Sequence, residues 1–165
     1  MLKKSLEDYR RGGIGALMDE YERAALELKS LVETVGADDY TRIADAETKD
    51  EDCRSIQTIM NHVIHACYGY ADAIRGRFDI PHEPLGKERR QISQAEIGGE
   101  IDKALAYTIE TLEGRWEMSY EEMDKFVITR KGDFSETIEQ LLEHAVLHIL
   151  RHRRQVEKFI LKFQR

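Results

Sequence analysis

The chain has 165 residues, a net charge of −7, and 35% charged against 41% apolar residues. That balance suits one soluble helical domain, residues 1–165, with a sizeable core. The acidic charge, with no basic stripe carrying interleaved aromatics, argues against nucleic acid as a partner. The N-terminal stretch has no apolar run, so neither a signal peptide nor a membrane span is expected. The two cysteines, Cys53 and Cys67, form no CxxC pair. A reducing, cytoplasmic setting is therefore expected.

A first helix is expected over residues 13–35. Ile14, Leu17, Tyr21, Ala24, Leu28, Leu31 and Val35 alternate spacings of three and four, which makes a core-facing seam. Gly36 then offers a C-terminal stop. Residues 37–54 form an acidic loop with Asp38, Asp39, Asp45, Glu47, Asp50, Glu51 and Asp52. The aspartate order and glycine of a calcium-binding EF-hand loop are missing, so a solvated loop is the reading.

Ser55 is a candidate N-cap for a second helix over 56–78. Its apolar face runs Ile56, Ile59, Met60, Val63, Cys67, Tyr70, Ala71, Ile74 and Phe78. His62 lies roughly 130° from the centre of that face and His65 roughly 170°. On this helix alone, both would be surface histidines. Cys67, Tyr68 and Tyr70, one to two turns further on, are candidates to line a pocket. Both prolines, Pro81 and Pro84, fall in a loop over 79–92 that also carries an exposed His82.

Ser93-Gln94-Ala95-Glu96 is a capping box opening a third helix to about residue 115. Its buried stripe is Ile97, Ile101, Ala104, Leu105, Thr108, Leu112 and Trp116. Residues 118–134 break the helical pattern. Lys125 to Arg130 alternates like a strand and Lys131-Gly132-Asp133 reads as a turn, so a short hairpin or irregular lid is expected. Asp133 or Ser135 would cap a fourth helix that runs to about residue 163.

That last helix carries His144, His148 and His152, four residues apart. Positions four apart lie one turn up the same helix face. His152 falls roughly 45° from the centre of the apolar face, His148 roughly 85° and His144 roughly 125°. His152 and His148 are thus candidate metal ligands, and His144 drifts to solvent. An HxxxH pair alone is more often an ordinary surface or core feature, so a third ligand is needed. Four long amphipathic helices imply an all-α, up-and-down type four-helix bundle with a short insert before the last helix. Facing helices of such a bundle build metal sites, and the second helix offers His62.

Two stretches resemble the DinB-like family. Ser55-Ile56-Gln57-Thr58-Ile59-Met60-Asn61-His62 resembles its serine-capped helix with a histidine near the second turn. The run from Leu141 through His144, His148 and His152 to Arg153-Arg154-Gln155 resembles its C-terminal signature LLxHxxxHxxxHRxQ. Helix count, order and length agree as well, so the resemblance covers nearly the whole chain. It implies a four-helix bundle with a three-histidine metal site, whose ligands here would be His62, His148 and His152. One departure is Arg154, where the family usually has glycine. A ferritin-like di-iron site needs Glu-x-x-His, and no histidine here has glutamate three residues before it. The bridging carboxylates of a haemerythrin-like site are not met either, since Glu139 and Glu143 sit off the apolar face.

Three neutral imidazoles would leave a divalent ion, whether zinc, nickel or iron, with an open position. Such a centre suits a metal-dependent enzyme acting on a small molecule. Thiol-dependent transfer, with a low-molecular-weight thiol as co-substrate, is one reaction type and hydrolysis the other. The first is also what the thiol-dependent transferase branches of the family imply. Tyr68, Arg153 and Gln155 are candidate contacts around the site. The competing class is a non-catalytic, metal-binding, stress-related bundle. A homodimer is expected on either reading. Loss of metal is expected below about pH 6, where free imidazoles charge.

Overall fold

The computed structural model describes residues 5–84, 86, 89–130 and 134–164. The chain is mostly helical, with four long helices and a small two-stranded sheet as an insert. In chain order these are α1 (Gly12–Glu33), α2 (Ala37–Thr41), α3 (Ile56–Arg77), α4 (Gln94–Leu112), α5 (Tyr120–Lys125), β1 (Val127–Arg130), β2 (Phe134–Thr137) and α6 (Ile138–Phe163). Single 3₁₀ turns precede α1 and α3, at Leu6–Asp8 and Glu51–Cys53. No helix is long and apolar enough to cross a membrane, among the described residues.

The buried faces of the long helices meet in one apolar core that includes Ile14, Met18, Leu28, Ile59, Met60, Ile97, Leu112, Leu142 and Ile149. The seams read from sequence are the ones that face it. Trp116 differs: it lies past the end of α4 and is only half-buried. Helix packing pairs α1 with α6 and α4, and α3 with α4 and α6. The chain-consecutive helices α1 and α3 therefore lie on one diagonal, and α4 and α6 on the other. A simple up-and-down arrangement would make each consecutive pair neighbours. The long connectors 34–55 and 113–137 make the diagonal crossings possible, while the 78–93 loop joins two neighbours. Gly12 supports the second connector. Its φ of +72° and a Cβ position on top of Trp116 O admit only glycine there.

The 118–134 segment holds α5 and the β1–β2 hairpin, with Val127 opposite Thr137 and Arg130 opposite Phe134. Its expected turn at Lys131-Gly132-Asp133 lies outside the described residues. Phe126 stacks on Phe78, 4.0 Å between ring centroids, so the insert packs at the C-terminal end of α3. The fourth long helix starts later than expected. Ser135 is in β2, Asp133 lies outside the described residues, and the cap is Thr137, whose side chain accepts from Gln140 N at 3.2 Å. The strand ladder holds the backbone extended through Thr137, so the helix cannot begin before it.

The start of α3 matters most for the site. Ser55 Oγ accepts from Thr58 N at 3.1 Å, and Ser55 N donates back to Thr58 Oγ1 at 3.0 Å. Ser55 is buried, so water cannot replace that cap. Ser55→Ala is expected to destabilise the protein by about 1 kcal/mol. The shift in urea midpoint between wild type and variant measures it, and an unchanged midpoint would contradict the capping role.

Candidate metal centre

The α3 cap is preceded by a tight turn. Asp50 accepts from Asp52 N at 3.0 Å, and the 3₁₀ turn Glu51–Cys53 leads straight into Ser55. This fixes Asp50, Asp52 and Cys53 beside the first turns of α3. His62 stands two turns into the helix. Tyr70 further along meets His144 and His148 at ring distances of 5.6 and 5.9 Å, while His62 meets His148 and His152 at 4.9 and 5.1 Å. The two helices thus run antiparallel, and the N-terminal half of α3 faces the C-terminal half of α6.

Here three imidazoles converge. His62 Nε2 lies 2.9 Å from His148 Nε2, and the rings of His148 and His152 are 4.5 Å apart. One nitrogen from each of His62, His148 and His152 falls in a group whose members all lie within 4.8 Å of one another. His148 and His152 are buried, at 7% and 6% exposure, while His62 keeps 26% of its side chain open. His152 Nδ1 donates to Gln155 Oε1 at 3.2 Å, which leaves Nε2 as the lone-pair nitrogen. His62 Nδ1 faces Asp52 Oδ2 at 3.4 Å without a formed hydrogen bond, and Asp52 is also paired with Arg89. His148 Nδ1 is buried without a hydrogen-bond partner.

Electrostatics keep this corner neutral. Burial pushes His148 down to about 3, helped by the neighbouring His152 and His62. Burial likewise takes His152 to about 4, with His62 next in effect. Burial lowers His62 as well, partly offset by Asp52. All three are free bases at neutral pH, which is the form that binds metal. The expected loss of metal below about pH 6 rested on unperturbed imidazoles. The lowered His148 and His152 add less proton competition at that pH than free imidazoles would.

The imidazoles form the floor of an open cleft of about 440 Å³. Asp50 and Cys53 make one lip; Arg151, Arg154, Gln155 and Lys158 of α6 make the other. Cys53 Sγ lies 3.3 Å from Asp50 Oδ2 and 3.7 Å from Gln155 Oε1, two acceptors for its single S–H proton. Burial raises its pKa, so it is held as a thiol. Cys67 is in the core and pushed up to about 11 by burial.

Of the residues read from sequence, His62, His148 and His152 come together. The others do not join them. His65 is half-buried on another flank, and His82, half-buried rather than exposed, bonds Ile80 O in its own loop at 2.9 Å. His144 pairs with Glu136 of the hairpin at 3.0 Å. Of the candidate contacts, Gln155 reaches the cluster. Arg153 instead pairs with Glu27 and Glu157, and Tyr68 packs on Tyr107 at 5.3 Å beside a separate cleft. Tyr70 lies edge-on to His148, not in an open pocket. The acidic loop does border the cleft, through Asp50 and Cys53. The 118–134 segment contributes no described residue to it. Phe78 is sixteen residues from His62, about 24 Å along the helix. Asp52 and the α6 cations are additions that sequence reasoning missed. The signal for Asp52 was its place just before the α3 cap. The signal for the cations was their placement three, six and ten residues after His148, on the same helix as the histidines.

Comparison with protein-family models, with curated protein sequences and with solved structures returns no match for this chain.

The depressed histidines give metal-free protein a defined pH dependence. Unfolded imidazoles charge near pH 6.5. In the fold, His148 and His152 stay neutral to about 3 and 4. Between those limits the unfolded chain binds more protons, so stability present above about pH 6.5 is lost as pH falls. Melting of chelator-treated protein between pH 7 and 5 should fall less for His148→Gln than for wild type. A fall equal to or steeper than wild type would contradict the assignment.

Proposed function

We propose that this chain is a DinB-like four-helix bundle that holds one divalent ion on His62, His148 and His152. On that basis it works as a metal-dependent enzyme on a small molecule, by thiol transfer in the first place and hydrolysis in the second. One observation carries the reading: two imidazole nitrogens from different helices 2.9 Å apart, with a third in the same group. Nitrogens on a tetrahedral zinc are roughly 3.3 Å apart. The closest pair is near that spacing and the third nitrogen, within 4.8 Å, would be drawn in by the ion; nitrogen donors suit zinc, nickel or iron.

A divalent ion held there would supply Lewis acidity toward a thiol or water in the cleft. The remaining roles fall to the chain. Gln155 fixes the His152 tautomer through the 3.2 Å bond to Nδ1. Asp52 lies where it can take a proton contact from His62 Nδ1 once the ring turns slightly. Neither cysteine is poised as a nucleophile, since burial raises both thiols. An external thiol is therefore favoured over one from the chain itself. The cleft leaves room for a small substrate above the imidazoles.

Zinc titration of tag-free protein should give one ion per chain. His152→Ala should abolish binding, and His65→Ala and His82→Ala should leave it intact. Gln155→Ala should weaken affinity by about 10- to 100-fold. Full stoichiometry in His152→Ala would mean that the ion sits elsewhere. For activity, the protein loaded in turn with zinc, nickel or iron is offered cellular thiols with an electrophile, and separately esters and amides. Thiol consumption lost in His148→Ala supports transfer, and turnover only in the second panel supports hydrolysis. Silence in both would overturn the enzyme reading and leave a metal-binding bundle.

A further inference from the structure

The lip of the cleft formed by α6 carries Arg151, Arg154 and Lys158, and none of them forms an ion pair or hydrogen bond with another described residue. That is unusual for this chain. Most other arginines are ion-paired, among them Arg10, Arg75, Arg89 and Arg153. The chain as a whole is acidic, at −7. Along α6 the three cations stand three and four residues apart, stacked on one flank. Like charges at that spacing destabilise a helix by about 0.2–0.5 kcal/mol per pair. An arrangement that costs stability, placed where a cleft opens over three imidazoles, calls for a bound counter-charge. The cleft provides none to spare. Among the described residues Asp50 is its only lining carboxylate, and Asp50 already accepts from Asp52 N and Cys53 Sγ.

We infer that Arg151, Arg154 and Lys158 form an anion-binding subsite that seats a carboxylate or phosphate group of the small-molecule substrate beside the three histidines. Arginine side chains grip both groups through paired N–H donors, and lysine adds a point charge. The three cations rise about 10 Å along the helix, a span that fits a small anion and not an extended polyanion. Arg151 follows His148 by one turn, and Gln155, lying between the cations, holds His152. A substrate anchored by its anionic end would thus place its other end over the imidazoles. This inference rests on the cleft being the substrate site, but the anion contact itself needs no metal. Arg154 gains a role on this reading: it occupies the position where the resembled family usually has glycine, and its charge belongs to the site.

The test titrates inorganic phosphate, and separately succinate, into wild type at low ionic strength by calorimetry, with and without zinc. Zinc stoichiometry is measured in parallel. Wild type should bind at least one of the two saturably. The variant R151Q/R154Q/K158Q should bind it at least about tenfold more weakly, as expected for lost charge-assisted contacts. A charge-matched control, R11Q/R23Q/K103Q, should keep wild-type affinity. Preference for succinate assigns a carboxylate substrate, and preference for phosphate a phosphorylated one. Zinc stoichiometry should be the same in the triple variant. If that variant folds poorly, Arg154→Gln alone, at an exposed position with no partner to lose, should show a smaller loss in the same direction. No saturable binding in wild type, or equal weakening in the control, would overturn the subsite. Anion binding that depends on the three cations in a protein that takes up no zinc would keep the subsite and reject the metal. Zinc uptake without anion binding would do the reverse.

Discussion

Three imidazoles share one corner between two antiparallel helices, and burial there favours the uncharged form of all three. His62 and His148 touch nitrogen to nitrogen at 2.9 Å. Two protons there would place like charges at contact, in a site where burial already disfavours charge. Neutrality thus favours the packing of α3 on α6 as well as the site. It also makes the corner nitrogen-rich: at 2.9 Å one of the two Nε2 atoms donates its proton to the other. The same constraint explains the neighbourhood. Gln155 accepts the spare proton of His152, and Asp52 stands by that of His62.

The fold serves this corner by fixing the two helices independently. α3 is anchored by the buried Ser55 cap and the turn at Asp50, so His62 is held by local hydrogen bonds. α6 is anchored by the Thr137 cap and by the core seam of Ile138, Leu142, Ala145 and Ile149. The hairpin insert belongs to the other end of α3, where Phe126 meets Phe78. It braces the helices far from the cleft, which is bordered instead by the acidic loop. The diagonal placement of α1 and α3 leaves α3 between α4 and α6, and that decides which of its flanks becomes a site.

Much of this was legible in the sequence because helical periodicity is a local property. The inward order of His152, His148 and His144 on the wheel matches their burial, with His144 the open one at 37% of its side chain. The seams of the long helices and the Ser55 and Ser93 caps follow from spacing and capping chemistry alone. His62 was harder. Its angle from the apolar centre suggests solvent, yet a helix packed on two neighbours presents its flank to one of them. Only pairing with α6, or a resemblance, brings His62 in. Contacts that depend on tertiary placement were not legible: the Asp52 approach, the cleft that faces Arg151, Arg154 and Lys158, and the remoteness of the hairpin. Helix order in space was missed for the same reason, since connector length permits a diagonal crossing without requiring it. Arg153 and Tyr68 failed as site contacts because partners from other elements, Glu27 and Tyr107, hold them elsewhere.

The central claim is a neutral three-histidine cage formed before any ion arrives. Proton release on zinc binding, measured by calorimetry at pH 6.0 in buffers of different ionisation enthalpy, tests it most directly. Three ordinary imidazoles of pKa about 6.5 would together release roughly two protons at that pH. With His148 and His152 held near 3 and 4 and His62 lowered, release should stay below one proton per zinc, at one zinc per chain. Release of about two protons, or no saturable uptake of zinc, would contradict the preformed cage.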